Sequence, residues 1–353
     1  MRVRIIGAGI AGLSAGWAFQ RAGCEVSIID RAAIPNPAGG SFDQSRLIHP
    51  FPAHNPVAPM QLKRSLAAWE LIWKAIGKRL HVPCGALTVL PGGRTDVSAW
   101  LGNLAGAGLE AMAVTGRDLA RRLPEIELPR AATAIYHPEG GVLLARSILA
   151  SLQALIGSNG GAFESETPLD LPRELAREAD ATILACGAWS RELLQPVAPE
   201  LARQLTPVRQ IMLYLDPPAG SADNWARSAA FVGLGDEDEL WGVPPLEDGP
   251  LKLAVGAFAR PLDAPGIDAQ PTEQEISRIL ARFAPSLPGL DRYRLIDART
   301  CCYTRSPGPS WITSPLPAIG EKIWFFGGCN GSGFKSAPAA ALRLVEQVLA
   351  RRG

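Results

Sequence analysis

The chain opens with MRVRIIGAGIAG, residues 1–12, and reaches EVSIID at residues 25–30. The β-branched run before the glycines predicts a strand, the apolar residues after them predict a helix, and residues 26–29 predict a second strand. A G-x-G-x-x-G turn between strand and helix, followed 18 residues later by an acid, is typical of a dinucleotide-binding βαβ unit. The stretch therefore predicts an α/β fold that is built on such a unit.

The glycine turn gives each of its positions a physical task. Gly7 permits the tight turn, Gly9 lets the backbone approach a pyrophosphate, and Gly12 lets the helix pack closely on the strand. Ile10 and Ala11 are the first helical residues, so their unpaired N–H groups and the positive end of the helix dipole face the phosphates. The turn therefore predicts where the diphosphate of a dinucleotide binds.

Asp30, at the end of the second strand, narrows the choice of nucleotide. Its carboxylate would accept a hydrogen bond from a ribose hydroxyl, which disfavours a nucleotide with a 2′-phosphate. We therefore expect FAD or NAD. The plainer alternative is an α/β turn that holds no nucleotide.

Composition excludes several classes of protein. The 353 residues are 47% hydrophobic, which is enough for two domains or one large composite. A net charge of +1, from 35 basic and 34 acidic residues, predicts no nucleic-acid partner and no membrane surface. The apolar start carries the glycine turn, so we expect no signal peptide. Six scattered cysteines indicate free thiols and a cytoplasmic protein, and the four histidines lack metal-ligand spacing, so no metal is expected.

Nucleotide-binding elements recur far along the chain. Residues 180–190, DATILACGAWS, predict a buried strand that runs into a glycine turn. Residues 323–335, IWFFGGCNGSGFK, predict a strand and a glycine-rich loop, and residues 336–351 predict a helix. Several short strands are predicted over residues 207–258. Because the nucleotide-binding elements come from the beginning, middle and end, the two domains are expected to be interleaved.

The region that follows the first βαβ unit is predicted to be irregular and functional. Proline and glycine make residues 31–59 a loop, and a loop of this length within a compact domain is uncommon. Residues 60–76 predict an amphipathic helix, and residues 80–90 predict a pair of strands.

Taken in order, these segments resemble the FAD-dependent amine and amino-acid oxidases of the D-amino-acid oxidase superfamily. Within it, they are most similar to the branch of monomeric sarcosine, pipecolate and N-methyltryptophan oxidases. The matching segments are residues 3–30, 40–48, 136–141, 180–190, 207–213, 241–244 with Lys252, 301–304 and 327–335. The resemblance implies FAD rather than NAD, because the late glycine-rich loop resembles the one that closes over the flavin ring.

The resemblance implies a Rossmann-like FAD-binding domain interleaved with a substrate domain whose sheet is mostly antiparallel. We expect the FAD-binding domain to comprise residues 1–78, 136–206 and 291–353. The substrate domain would comprise residues 79–135 and 207–290. Further contacts with FAD are implied for Arg31, Ser41, Gly187, Trp189, Gly328, Gly331, Gly333 and Phe334.

Two cations are implied to act beside the flavin ring. Arg46 matches an arginine that supplies a fixed positive field next to the ring. Lys252 matches the lysine that is linked to oxygen reactivity, since a nearby cation stabilises developing superoxide. The plainer alternatives are a surface arginine and, because side chains alternate along a strand, a lysine that points to solvent.

A covalent flavin link is implied by residues 301–304, CCYT. They resemble a Cys-x-Tyr-Thr stretch whose first cysteine bonds to the flavin 8α position, and the match favours Cys301 over Cys302. Adjacent strand side chains point to opposite faces, so only one of the two reaches the ring. The alternative is two buried cysteines that act as small hydrophobes. Residues 306–308, SPG, depart from the Thr-Pro-Asp of the family.

The resemblance implies that the substrate carboxylate binds Lys335. The apolar part of the substrate would lie near Trp241. The branch has a second cation where this chain has His49, and a histidine where this chain has Gly256. The site for the substrate carboxylate therefore has less fixed charge and more room than in the branch, which suits a substrate larger than sarcosine.

The resemblance implies hydride transfer from the α-carbon of a secondary or cyclic amino acid to flavin N5. An imine would be the product, and O2 would be reduced to H2O2. The partners would be a small-molecule amine or amino acid and O2, with a monomer or a homo-oligomer equally compatible. The alternatives are a dehydrogenase with a non-oxygen acceptor and a flavin-binding subunit without its own turnover.

Overall fold

The computed structural model describes residues 1–50, 57–90, 96–235, 239–246, 249–266, 270–308 and 311–351. The strands are β1 Arg2–Ile6, β2 Glu25–Ile29, β3 Arg46–Ile48, β4 His81–Val82, β5 Ala86–Leu90, β6 Met112–Thr115, β7 Thr133–His137, β8 Gly141–Leu143, β9 Ala162–Glu164, β10 Ala181–Leu184, β11 Thr206–Asp216, β12 Ala230–Leu234, β13 Leu240–Val243, β14 Leu251–Val255, β15 Arg260–Pro261, β16 Arg294–Arg305, β17 Ile312–Pro315 and β18 Ile323–Gly327. The helices are α1 Ile10–Arg21, α2 Ala58–Ile76, α3 Val97–Gly106, α4 Gly116–Arg122, α5 Ala145–Ser158, α6 Leu171–Ala176, α7 Ser190–Leu194, α8 Pro199–Arg203, α9 Ala222–Ala226, α10 Glu273–Phe283 and α11 Gly333–Ala350.

The dinucleotide-type sheet has the order β17-β18-β10-β1-β2-β9 within the described residues. Its pairs are parallel except for β17 with β18. One face packs against α1, α2, α5 and α11, and the other against apolar residues of α6, α7 and α8. A parallel sheet needs both faces covered, which explains why β1 and β10 are buried almost throughout.

The predicted glycine turn between β1 and α1 is confirmed. Gly7 has φ +106°, and a Cβ there would lie 2.5 Å from the carbonyl oxygen of Ala185 on the neighbouring chain segment. A Cβ on Gly12 would lie 1.8 Å from the Gly7 carbonyl oxygen. Both positions therefore require glycine, one for its backbone conformation and the other for the close approach of α1 to the turn.

The large sheet has the order β15-β11-β14-β13-β12-β5-β7-β6, and β16 pairs with the free side of β11. Its pairs are antiparallel except β12 with β5. One face carries Ile211, Leu213 and Leu253, which pack against Ile279 and Phe283 of α10. The residues between them on the same strands point to the opposite face, towards the dinucleotide-type sheet's carboxyl edge.

A small third sheet, β3-β8-β4, includes one strand, β3, from the long region after β2. β3 begins at Arg46, which pairs with Leu143 of β8. The predicted loop of residues 31–59 thus contains a strand, and its residues 51–56 lie outside the described part of the chain. The amphipathic helix predicted after it is confirmed as α2, with Trp69 and Ile72 on its buried face.

Three local expectations differ from the structure. β4 and β5 do not pair with each other, because β4 joins the small sheet and β5 the large one. α11 begins at Gly333 rather than at residue 336, so Lys335 lies in its first turn. β16 belongs to the large sheet although its residues were assigned to the FAD-binding domain, because hydrophobic patterning alone does not show which strand is the partner. The domain limits as a whole stay a prediction.

No helix in the described ranges combines the length and the apolar character that crossing a bilayer would demand.

Candidate active site

A cavity of about 1030 Å³ opens at the carboxyl edge of the dinucleotide-type sheet and extends beneath the large sheet. Ligand pockets commonly span about 300–1000 Å³, so this one is large enough for an extended ligand. The predicted site residues that line it are Gly7, Gly9, Ile10, Ala11, Asp30, Arg31, Ser41, Arg46, His49, Gly187, Trp189, Trp241, Lys252, Cys301, Gly328, Gly331, Gly333, Phe334 and Lys335. Gly12 lies behind the turn, where it packs against Gly7.

The start of α1 forms one wall of the cavity. Gly9 caps the helix without a side-chain hydrogen bond, and no acidic residue occurs in the first turn. The Ser41 hydroxyl accepts a hydrogen bond from the Ile10 amide at 3.0 Å. A helix N-terminus whose first turn lacks acidic residues, and which a hydroxyl flanks, is suited to an anionic group.

Asp30 stabilises the same wall. Its carboxylate accepts hydrogen bonds from the Ala8 amide at 2.9 Å and from the Ala32 amide at 3.0 Å. Next to it, the Arg31 guanidinium lies 4.5 Å from the centroid of the Trp189 ring. Asp30 therefore orders the turn itself, and the Arg31 and Trp189 pair forms a flat surface beside it.

A charged cluster lies under the large sheet, around a carboxylate that the sequence did not single out. Asp43 forms ion pairs through Oδ2 with Arg46 and with Lys252. Its Oδ1 accepts a hydrogen bond from the Tyr214 hydroxyl at 2.6 Å. The side chains of Asp43 and Lys252 are each 1% exposed and that of Arg46 is 15% exposed. Lys252 therefore does not point to solvent, and Arg46 is not a surface arginine.

The protonation states of this cluster follow from burial and mutual attraction. Burial alone would raise the pKa of Asp43, but Arg46 and Lys252 hold that pKa well below its usual range. Burial lowers the pKa of Lys252 to about 8, against the attraction of Asp43. Burial together with the Asp43 charge raises the pKa of Tyr214, which stays a hydrogen-bond donor. The cluster of Asp43, Arg46 and Lys252 therefore carries a net charge of +1 at neutral pH.

Strand alternation explains how the large sheet presents this cluster. Gln210, Met212 and Tyr214 occupy alternate positions of β11 and face the cavity side, whereas the residues between them join the apolar core of the sheet. The same period places Lys252 on the cavity side of β14, between two leucines that face the core. The period of two, applied to β11, was a signal that could have identified Gln210 and Tyr214 from the sequence.

The adjacent cysteines of β16 have different surroundings. Cys301 pairs with Gln210 in register, and its thiol lies 3.3 Å from the Gly40 carbonyl and 3.6 Å from the Arg46 guanidinium. Cys302 pairs with Arg209, and burial raises the pKa of the Cys302 thiol. Cys301 is therefore the cysteine whose thiol belongs to the cavity cluster.

Lys335 projects into the cavity from the first turn of α11. Its Nζ donates to the His49 carbonyl at 3.2 Å, and burial lowers the pKa of Lys335 to about 8. The backbone of this turn is fixed by Trp69, whose indole donates to the Lys335 carbonyl at 2.9 Å and whose ring stacks near Phe334. Lys335 is thus a positioned cation at neutral pH.

His49 does not supply a second cation to this part of the cavity. Burial and the nearby Lys335 charge hold the pKa of His49 well below its usual range. Its Nδ1 lies 3.1 Å from the Pro50 carbonyl, which assigns the ring proton to that nitrogen. His49 is therefore neutral, and it can act as a hydrogen-bond partner but not as a fixed charge.

The space beside Gly256 is not empty, contrary to the expectation of more room. A Cβ at Gly256 would lie 2.8 Å from Glu239 Oε2 and 3.0 Å from Glu239 Cβ. Glu239, which the sequence analysis did not select, lines the same cavity as Gly256 and Trp241. The carboxylate of the exposed Glu239 therefore lies beside Gly256 and adds a negative charge to that wall of the cavity.

The sequence pattern of the DAO family, described as FAD dependent oxidoreductase, matches residues 2–347. The chain belongs to this family. It is therefore an FAD-dependent oxidoreductase, as the glycine turn and the late loop predicted.

The relatives in this family are similar over nearly their whole length. Monomeric sarcosine oxidase from Bacillus sp. (strain NS-129) is 23% identical over 362 residues, covering 98% of this chain and 92% of that protein. N-methyl-L-tryptophan oxidase from Yersinia pestis (strain Pestoides F) is 24% identical over 360 residues, covering 95% of this chain and 91% of that protein. The solved open form of NikD, an unusual amino acid oxidase essential for nikkomycin biosynthesis, has a TM-score of 0.77 at 18% identity and covers 99% of this chain and 94% of its own. That likeness concerns the fold.

The residues of the cavity fit the cofactor of this family. The uncharged start of α1 and the hydroxyl of Ser41 suit a diphosphate, and the absence of a side chain at Gly9 leaves the backbone accessible there. The opposite end of the cavity, beneath the large sheet, has the cations and the sulfur of Cys301. The start of α1 and the cations beneath the large sheet thus lie on one cavity, as an extended cofactor with a diphosphate requires.

Proposed function

We propose that the chain is an FAD-dependent oxidase of secondary or cyclic α-amino acids, which forms an imine and reduces O2 to H2O2. The observation that carries this proposal is the position of Arg46, Lys252 and Lys335 on one cavity that continues from the glycine turn. The named activities of the sarcosine and N-methyltryptophan oxidases among the relatives support the same reaction class.

Each cation has a separate task in this proposal. The Lys335 ammonium binds the substrate carboxylate through a charge-assisted hydrogen bond and so fixes the α-carbon. Arg46 keeps its charge at any working pH and holds a positive field in the cavity. FAD, held at the start of α1 and along the cavity, would supply the acceptor for the two electrons of the substrate and the reductant for oxygen. Lys252 stabilises the negative charge that develops on oxygen.

The direct test is anaerobic mixing of the purified flavoprotein with a panel of N-methyl and cyclic amino acids. We expect these to bleach the visible flavin band faster than primary amino acids do, and we expect H2O2 in stoichiometric yield once air is admitted. Bleaching without peroxide would identify a dehydrogenase with another acceptor. A protein that is photoreduced but bleached by no substrate would be a flavin-binding subunit without its own turnover.

The covalent link is a separate part of the proposal, with Cys301 as the attachment point. Cys301 is favoured because its thiol belongs to the cavity cluster, whereas Cys302 lies beside Arg209 on the other side of the strand. Acid precipitation of the wild type should leave the yellow colour in the pellet. Cys301→Ser should release the flavin into the supernatant, and the matched Cys302→Ser variant should retain it.

Two outcomes would contradict this attachment. Release by Cys302→Ser instead of Cys301→Ser would move the link to the neighbouring residue. A soluble flavin in the wild type would show that the cofactor is held without a covalent bond.

A further inference from the structure

Asp43 is a buried carboxylate that the proposed function leaves without a task. Both of its oxygens are used: Oδ2 by the Arg46 and Lys252 cations, and Oδ1 by the Tyr214 hydroxyl at 2.6 Å and the Gln44 amide at 2.7 Å. These contacts connect the long region after β2 with two strands of the large sheet. The carboxylate thus sits where the elements that carry the two cations meet.

The surroundings of the Lys252 ammonium explain why a carboxylate is needed. Its Nζ also donates to the Ser45 carbonyl at 3.0 Å. The Trp241 and Tyr214 ring centroids lie at 5.4 Å and 5.9 Å. The other groups that act on its charge are Arg46, which repels it, and the Cys301 thiol. Among these groups, Asp43 supplies the negative charge.

A buried ammonium without a counter-ion gives up its proton, because burial penalises the charged form. An opposite charge in contact offsets that penalty, and contact pairs shift a pKa by about 1–3 pH units. Lys252 needs its proton to stabilise developing charge on oxygen. The group that keeps the proton in place is therefore as important for the reaction as the lysine itself.

We propose that Asp43 is a positioning residue for Lys252, whose carboxylate holds the ammonium at the cavity wall and keeps it protonated at neutral pH. The proposal rests on the proposed function only for the role of Lys252 towards oxygen. Asp43 is not among the described residues that line the cavity, so it acts through the lysine.

The first test is a pH titration of the visible absorption spectrum of the holoenzyme, without substrate. The wild type should show a transition near pH 8, where Lys252 loses its proton. Lys252→Met should lose the Lys252 transition, and any transition that remains near pH 8 in this variant belongs to Lys335. Asp43→Asn should move it about 1–3 pH units lower. An unmoved transition in Asp43→Asn would overturn the proposal.

Tyr214→Phe is the matched control. It removes the neutral hydrogen bond to Asp43 but leaves the charge of the carboxylate, so its transition should stay near that of the wild type. If Tyr214→Phe and Asp43→Asn moved the transition equally, Asp43 would act by ordering the loop and not through its charge.

The second test is the pH profile of reoxidation by oxygen. In Asp43→Asn, the fall in rate with rising pH should begin about 1–3 pH units lower than in the wild type. The spectral titration needs bound flavin but no amine oxidation. A failure of the proposed role of Asp43 can therefore be told apart from a failure of the proposed oxidase function. If Asp43→Asn shifts the spectral transition but the reduced wild type does not react with oxygen, the proposed oxidase function is rejected. The proposed pairing of Asp43 with Lys252 is then retained.

The variant Asp43→Asn could fail to fold, because it leaves two buried cations without their counter-ion. The double variant Asp43→Asn with Lys252→Met removes one of these cations, and it should regain thermal stability and flavin binding relative to Asp43→Asn alone. A double variant no more stable than Asp43→Asn would contradict the proposed pairing of Asp43 with Lys252.

Discussion

The Lys252→Met variant is expected to react with oxygen about 10²–10³ times more slowly than the wild type, which is the usual cost of removing one preorganised charge-stabilising group. Reduction by substrate should change far less, because Lys335 and Arg46 remain. Stopped-flow mixing of the reduced protein with oxygenated buffer measures the first rate, and anaerobic mixing with substrate measures the second. Lys74→Met, which removes an exposed lysine of α2, is the control.

The same lysine gives the reaction with oxygen a pH dependence of defined sign. The ammonium is charged below its pKa of about 8 and neutral above it, so the wild-type rate should fall as the pH rises through that value. Lys252→Met should show no such fall. A reoxidation rate that Lys252→Met leaves unchanged would reject the role of the lysine.

The Lys335→Ala variant is expected to bind α-amino acids about 10–100 times more weakly. A hydrogen bond to a charged group contributes about 1.5–3 kcal/mol, and about 1.4 kcal/mol corresponds to a tenfold change in affinity. His49 is neutral and does not replace the lost cation. Spectral titration of the oxidised protein with amino acids and carboxylate-bearing analogues measures the dissociation constants.

The control for Lys335→Ala is a second class of ligand, which lacks the carboxylate, rather than a second variant. Decarboxylated amines of the same carbon skeleton should bind the wild type and Lys335→Ala with similar affinity. If a plain amine reduced the wild-type flavin as well as any amino acid does, the cavity would recognise a polar group other than a carboxylate.

The parts of the site that the sequence predicted depend on local patterns. The glycine turn needs only consecutive residues, because Gly7 and Gly12 meet each other within the same turn. The helix α2 could be predicted because its apolar residues repeat with the helical period. The resemblance selected Arg46, Lys252, Cys301 and Lys335, and all four line the cavity.

The parts that could not be predicted depend on distant partners. Asp43 and Lys252 are 209 residues apart, and nothing near Asp43 in the sequence indicates that a lysine of β14 meets it. The filling of the space beside Gly256 likewise depends on the pairing of β13 with β14, which brings Glu239 next to it. The pairing of β16 with β11 could not be predicted for the same reason, since strand partners are tertiary information.

The alternation of β11 also bears on how such an enzyme can change its specificity. One face of this strand holds Leu213 and its apolar neighbours, where truncation to alanine typically costs about 2–5 kcal/mol of folding free energy. The other face presents Gln210 and Met212 to the ligand cavity. Substitutions on the cavity face can therefore alter the chemistry of the pocket while the apolar core beneath it stays intact. A single strand in this way separates the residues available for new activities from those that folding requires.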